Sequence, residues 1–414
     1  MTNAKLPRQP EVNIGTAGHV DHGKTSLLEQ LTGIWASKHS EELRRGITIR
    51  LGYADTAVYK CPNCPPPTCY TIYKKCSNCG SETNFLRALS FVDCPGHEVL
   101  MTTTLSGASV MDGAILVIAA NEPVPQPQTR EHIAALDIIG VKNIVVVQNK
   151  VDLVSREKAF ENYKAIKEFL RKTSIGDVPV IPTSAQHGLN IDLLLEAIEK
   201  YIPTPKRDPT RPPFMHIVRS FDINKPSTKI ENLVGGVLGG TISEGKLEIG
   251  DEIEIRPGIR KDKSSQLDYE HLQTKIVSLF AGGGDTKQVG CGGLVGVGST
   301  LDPSLTKADG LIGNVIGKVG QLPEVKKTLN VKATFFEYAI GTTELTKVGP
   351  LKQGEALVIN AGTSVSAGIV TSTKKSTFEM TLRKPVCIKP GSRVALSRKI
   401  LGKWRLIGWG IFKD

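Results

Sequence analysis

Lysine and threonine close a glycine-bounded loop in Gly18-His19-Val20-Asp21-His22-Gly23-Lys24-Thr25. The loop lies between the apolar stretch Val12-Asn13-Ile14-Gly15 and the helix-like Ser26-Leu27-Leu28-Glu29-Gln30-Leu31. A strand, a glycine loop and a helix start form the setting in which backbone N–H groups cradle nucleotide phosphates. Lys24 would reach the β- and γ-phosphates and the Thr25 hydroxyl would ligate Mg2+, with Asp21, His22, Gly23 and Ser26 completing the cradle. Asp21 is out of character, because a carboxylate there repels phosphate unless it turns outward or meets a cation. Both readings stand, the second being a further Mg2+ held by Asp21 with a carbonyl such as that of Gly46.

Three more stretches answer to this loop. Arg44-Arg45-Gly46-Ile47-Thr48-Ile49 offers Thr48 as a hydroxyl that joins Mg2+ only while a γ-phosphate is present. Asp93-Cys94-Pro95-Gly96-His97 follows the strand-like Leu89-Ser90-Phe91-Val92. Asp93 would hold Mg2+ through water, the Gly96 N–H would meet the γ-phosphate, and His97 would orient the attacking water. Asn149-Lys150-Val151-Asp152 closes the run Val145-Val146-Val147-Gln148. A carboxylate at Asp152 can accept from N1–H and the 2-amino group of guanine, which adenine cannot supply, and Asn149, Lys150 and Val151 frame the base. Ser184-Ala185-Gln186 would offer a backbone N–H to the guanine O6. The expected ligand is therefore GTP or GDP, the expected ion Mg2+, and the expected reaction hydrolysis of GTP to GDP and phosphate. No arginine finger is evident, so hydrolysis should be slow unless a partner stimulates it.

Eight cysteines are present, five of them clustered. Cys61 and Cys64, then Cys76 and Cys79, form two Cys-x-x-Cys pairs with eleven residues between them, each on a Pro/Asn/Gly turn. That spacing suits a tetrahedral four-cysteine site, and four filled positions make the Zn2+ structural rather than catalytic. Cys69 is a spare or substitute ligand. Cys94, Cys291 and Cys387 are scattered and read as small buried residues.

These groups need elements to carry them. Strand-like runs at 12–15, 88–93, 113–119, 143–148 and 178–182 alternate with helical ones after the phosphate loop and at 97–111, 128–140, 156–173 and 191–201. Such alternation predicts an α/β, doubly wound, mostly parallel sheet whose ligand loops lie at the carboxyl ends of the strands. Five prolines and three basic residues in 202–213 then mark a linker. Beyond it, short β-rich runs and Gly-rich turns predict two β-barrels with a boundary near 323. The expected domains are 1–205 with a zinc knuckle at about 58–82, 206–323 and 324–414. With 414 residues, 40% of them hydrophobic and 22% charged, the chain has the composition of a soluble multidomain protein. No apolar run suits a membrane span or secretory signal, so a cytoplasmic protein is expected. Net charge is +11, and the stretch from Lys374 to Asp414 holds eleven Lys/Arg against two acids. That tail is either a solvated basic face or a nucleic-acid contact.

Taken together, the motifs resemble those of the translational GTPases. The four nucleotide motifs, with Pro390-Gly391-Ser392-Arg393-Val394-Ala395-Leu396-Ser397 and Trp404-Arg405-Leu406-Ile407-Gly408, look like the elongation factor that carries aminoacyl-tRNA. The four-cysteine knuckle, the stretch from Ala120 through Glu122 and Gln128 to His132, and Gln148 before Asn149 narrow the likeness. They are similar to the gamma subunits of archaeal and eukaryotic translation initiation factor 2, and the short N-terminus favours an archaeal form. The resemblance implies a heterotrimer with alpha and beta subunits. It would carry methionylated initiator tRNA in the GTP state to the small ribosomal subunit, meet mRNA only indirectly, and have no membrane role. Rival readings are a carrier of elongator or selenocysteine tRNA, a GTPase subunit of a sulfate-activating enzyme, and a zinc-dependent nucleic-acid-binding protein with a vestigial nucleotide site. The four-cysteine insert argues against the first two, and the intact Lys24, Thr25, Asp93, Asn149 and Asp152 against the last.

Overall fold

The structure, a computed structural model, describes residues 5–34, 51–95, 101–261, 268–341 and 346–414, the side chains of 101–103 excepted. The chain forms two compact units, Met1–Lys206 and Arg207–Asp414.

In the first unit the strands are β1 (Val12–Ala17), β2 (Gly52–Lys60), β3 (Tyr70–Thr71), β4 (Asn84–Asp93), β5 (Gly113–Ala119), β6 (Asn143–Asn149) and β7 (Val180–Pro182). They form one sheet in the order β3-β2-β4-β1-β5-β6-β7. The five strands from β4 to β7 in that order are parallel, and β2 runs antiparallel on β4. The helices are α1 (Lys24–Thr32), α2 (Met101–Ala108), α3 (Pro127–Ile139), α4 (Arg156–Arg171) and α5 (Ile191–Tyr201). Their ends follow from sequence: Gly33 and Gly140 close α1 and α3 in left-handed conformations, Pro127 opens α3, and the Ser155 hydroxyl caps α4.

The central strands are apolar on both faces, and each face has its own partners. Ile115, Val117, Val145 and Val147 pack with Leu27, Leu28 and Leu31 of α1 and Leu194 and Ile198 of α5. Their neighbours in sequence, Leu116, Ile118, Ile144 and Val146, pack with Ile133 and Leu136 of α3 and Ile166 and Leu170 of α4. This double burial fixes the carboxyl ends of β1, β4, β5 and β6 as one rigid edge. The nucleotide motifs begin along that edge. The doubly wound reading holds. Local pattern gives no warning of β2, whose mixed run Gly-Tyr-Ala-Asp-Thr-Ala-Val-Tyr-Lys carries no uniform period; pairing with β4 is what makes it a strand.

The second unit contains two closed barrels of six strands. In the first, Glu252–Arg260 pairs Val315–Lys318, the order continues through Phe214–Phe221, Val237–Glu244 and Val295–Ser299, and Tyr269–Ala281 returns to Glu252–Arg260. In the second, Val325–Ile340 and Lys403–Lys413 close the ring. Each has its own apolar core. A buried clamp fastens the turn where one gives way to the other. Glu254 accepts from the N–H groups of Gly320 (3.1 Å) and Leu322 (3.3 Å), while Arg256 donates to the Leu322 and Pro323 carbonyls. Part of the basic tail is engaged inside this unit. Lys389 pairs with Glu244 at 2.8 Å, the Arg393 guanidinium stacks 4.6 Å over Trp409, and Arg398 engages Glu355 and two carbonyls. Lys384 is half-buried, donates to the Ile312 carbonyl, and has its pKa lowered by desolvation.

Candidate functional site

The loop between β1 and α1 takes its shape from two glycines and from α3. Gly18 lies at φ +132°, and a Cβ there would stand 2.2 Å from the Val117 carbonyl oxygen. Gly23, at φ +88°, leaves no room for a Cβ beside the Asn149 amide, 2.4 Å away. Both positions therefore require glycine. On the other side, α3 supplies two acceptors, with His132 Nδ1 taking the Gly18 N–H (3.1 Å) and Gln128 the Val20 N–H (3.3 Å). An acceptor at Nδ1 fixes the His132 ring as neutral, and its burial pushes its pKa down to about 3.

Lys24 is buried and donates to the Gly18 and His19 carbonyls at 3.0 and 2.6 Å, so its ammonium is anchored inside the loop. Burial also lowers its pKa to about 8. The Thr25 hydroxyl donates to Asp93 Oδ2 at 2.8 Å, and Asp93 Oδ1 accepts from Thr16 at 2.8 Å. Asp93 is fully buried at the end of β4. The donor set, a hydroxyl and a carboxylate meeting beside a phosphate loop, is the hard-oxygen chemistry that Mg2+ requires. Thr16 is not marked out by sequence reasoning; its only signal is a hydroxyl in a buried strand whose one other polar side chain is Asn13. Asp21 is exposed, with φ 60°, as the outward reading expects. His22 supplies backbone rather than ring to this face: its ring is wholly buried, while its carbonyl accepts from Asn149.

Asn149 is the keystone. Its amide donates to the His22 carbonyl (2.9 Å), and its side-chain oxygen accepts from the Ala185 N–H (3.0 Å) and the Thr183 hydroxyl (3.3 Å). Three segments far apart in sequence thereby meet on one side chain. A cleft of about 200 Å3 opens beside it, lined by Gly23, Ser26, Asn149, Lys150, Asp152, Ala185 and Gln186, with Leu153 added by the structure as an exposed apolar wall. Lys150 takes a left-handed turn at φ 62° that swings Val151 and Asp152 around the cleft, and the Val151 N–H bonds the Thr183 carbonyl. The neighbouring Ser184 hydroxyl holds the Asp152 carboxyl below the ordinary range, so it is an acceptor at neutral pH. His187 stands 3.8 Å from it. Gly46, Thr48, Gly96 and His97 lie outside the described residues.

At the far edge of the sheet, β2 and β4 extend into the cysteine knuckle. Cys61 and Cys79 sulfurs are 3.4 Å apart and those of Cys64 and Cys76 3.7 Å, all four lying within 4.8 Å of one another. Thiolates about 2.3 Å from a tetrahedral Zn2+ would be about 3.8 Å apart, so this group fits. Ser81 draws the Cys79 thiol down to about 6, while the Cys79 contact pushes Cys64 up. Gly80, at φ 73°, makes the second turn, its N–H bonding the Cys76 carbonyl. Cys69 is buried beside the group but outside the four, and its carbonyl accepts from the Cys61 N–H.

The family model described as "Elongation factor Tu GTP binding domain" matches residues 9–204, and that for "Initiation factor eIF2 gamma, C terminal" matches 327–412. The translation initiation factor 2 subunit gamma of Pyrococcus horikoshii is 56% identical over 414 residues, covering all of both chains. That of Methanothermobacter thermautotrophicus is 55% identical over 99% of this chain and all of its own. Among solved structures, a bacterial selenocysteine-specific elongation factor superposes with TM-score 0.74 at 23% identity, over 97% of this chain and 58% of its own. The elongation factor SelB of Methanococcus maripaludis, in complex with a GTP analogue, gives TM-score 0.72 at 21% identity over 99% of this chain and 80% of its own. These two likenesses concern the fold.

Proposed function

This chain belongs to the gamma-subunit family of translation initiation factor 2, a GTP-hydrolysing family, and from that premise we propose how its residues bind and use the nucleotide. Lys24 holds the β- and γ-phosphates, with Asp21, His22, Gly23 and Ser26 giving backbone to the cradle. Thr25, Thr48 and water held by Asp93 are the positions that would hold Mg2+, which would supply neutralisation of phosphate charge. Asp152 reads the guanine edge, Asn149, Lys150 and Val151 frame the ring, and Ser184, Ala185 and Gln186 close over it. His97 orients the attacking water, and Thr48 and Gly96 sense the γ-phosphate. Asp21 with the Gly46 carbonyl would be the pair to hold any second Mg2+. Cys61, Cys64, Cys76 and Cys79 would hold Zn2+, which supplies a cross-link.

The single observation that carries this reading is the bonding of Asn149 to both the phosphate loop and the Ala185 loop, beside a cleft lined by Asp152, the proposed base reader, and by Gly23 and Ser26 on either side of Lys24 and Thr25. Acting in a heterotrimer with alpha and beta subunits, the GTP form binds methionylated initiator tRNA, delivers it to the small ribosomal subunit in the cytoplasm, and releases it when phosphate is lost. The relatives' family supports this role. For a switch, GTP and GDP must favour the tRNA-competent state to different degrees, since equal binding would shift nothing. Domains divide at 205 and 323.

The test is GTP-dependent filter binding of charged initiator tRNA, charged elongator tRNA and adenosine triphosphate controls, with and without partner subunits. Preference for the methionylated initiator in GTP alone is expected. Equal retention of elongator tRNA would overturn the reading. His97→Ala should keep GTP affinity while hydrolysis falls about a hundredfold or more; normal turnover would remove His97 from the mechanism.

A further inference from the structure

Glu122, Asn162 and Gln148 have no part in the assignments above, yet they lead to the phosphate loop. The His22 ring is fully buried and faces two acceptors, with Nδ1 3.1 Å from the Val117 carbonyl and Nε2 3.2 Å from Glu122 Oε2. A carbonyl only accepts, so Nδ1 bears a hydrogen and donates it. A carboxylate oxygen also only accepts, so the second contact holds only with a proton between Nε2 and Oε2. Burial lowers the His22 pKa, so this contact is a hydrogen bond in whichever form places one proton between the ring and the carboxyl group. Glu122 is itself held by its backbone. Asn162 of α4 donates to the Glu122 carbonyl at 3.1 Å and accepts from Gln148 Nε2 at 2.9 Å, while Gln148 also donates to the Ala159 carbonyl at 2.7 Å. Gln148 is the residue before Asn149, whose amide already grips the His22 carbonyl at 2.9 Å. The base-reading loop thus reaches His22 twice, once by its backbone directly and once by its ring through Asn162 and Glu122.

We propose that Glu122 is a positioning residue for nucleotide retention: by gripping the His22 ring it ties the phosphate loop to the base-reading loop through Asn162 and Gln148. This rests on the assignment of these loops as the GTP site. The grip lies behind the phosphate loop, so it acts on GDP and GTP alike and leaves the chemical step untouched. Letting go of either loop shakes both ends of the nucleotide at once, and dissociation quickens.

Stopped-flow dissociation of fluorescently labelled GDP and GTP from the full chain tests this, with single-turnover hydrolysis and melting temperature measured in parallel. In Glu122→Ala both nucleotides should leave about tenfold faster. Hydrolysis of bound GTP should stay within about twofold. Glu122→Gln, whose amide can donate to Nε2, should restore dissociation to near wild type. Asn162→Ala should quicken release several-fold, and combining it with Glu122→Ala should add little, because both break one chain. Unchanged release in Glu122→Ala would overturn the proposal. So would equal effects of the alanine and glutamine variants, which would mean that shape and not the hydrogen bond matters. Wild-type protein that retains no labelled GDP would overturn the nucleotide assignment, and this inference with it.

Discussion

The nucleotide cleft and the cysteine knuckle belong to one sheet but are built in opposite ways. In the cleft, partners are remote in sequence: His22 with Asn149, Thr25 with Asp93, Asn149 with Ala185. The sheet brings them together, and apolar cores on both of its faces hold them there. The knuckle gathers four sulfurs from residues 61–79, and its buried cluster consists of cysteines with the partly buried Tyr70. So small a segment cannot bury much apolar surface, and its four thiols are grouped as a metal cross-link would need them. Global packing makes the first site; local chain geometry gathers the second.

The sharpest way to break the contrast is at the buried ammonium. Lys24→Ala should lower GTP affinity by about 10²–10³-fold in calorimetric titration. Folding should be largely intact, since relief of the ammonium's desolvation offsets the donor lost by the Gly18 and His19 carbonyls. A loss below about tenfold would mean the cradle works by backbone alone. Next comes removal of the knuckle's proposed ion. A strong chelator with reductant should free the four thiols and admit protease between residues 61 and 79, while GTP affinity changes less than about threefold. If affinity fell in step with thiol release, the two regions would be one cooperative body and the contrast would fail.

The smallest effect concerns His132. Burial keeps its ring neutral down to about 3, against 6.5 for an ordinary histidine. Below 6.5 the unfolded chain takes up a proton that the native chain refuses until near 3, so stability is full above that window and declines as pH falls through it. His132→Asn keeps an acceptor for the Gly18 N–H without that proton. It should flatten the acid decline by up to about 1.4 kcal/mol per pH unit. Melting curves between neutral pH and mild acid decide it, and parallel slopes for variant and wild type would sink the claim.

Much of this was legible in the chain. Gly18, Gly23, Lys24 and Thr25 stand within eight residues, and Cys61, Cys64, Cys76 and Cys79 keep their ligand spacing on turns, because local geometry alone sets those distances. Alternating strand and helix signals point to the doubly wound sheet for the same reason. Other residues are visible but mute. Glu122, Gln128, His132 and Gln148 stand out as a pattern, and nothing in their spacing says that they converge behind the phosphate loop. Cys69 sits among the four clustered cysteines in sequence and outside their sulfur group in space.

Sequence by itself determined the chemistry on offer: a glycine loop ending in Lys24-Thr25, a carboxylate at Asp152 closing an apolar run, a group of four closely spaced thiols and two β-rich segments, each written in nearby residues. Only the tertiary structure decided which side chains complete them, that Thr16 shares Asp93 with Thr25, that the His22 ring turns inward, that β2 is a strand, and that several cations of the basic tail serve the barrels' own packing. The reason is range. A turn or a metal spacing is fixed by bonds a few residues apart, whereas a buried hydrogen bond between distant segments exists only after the core has brought them together.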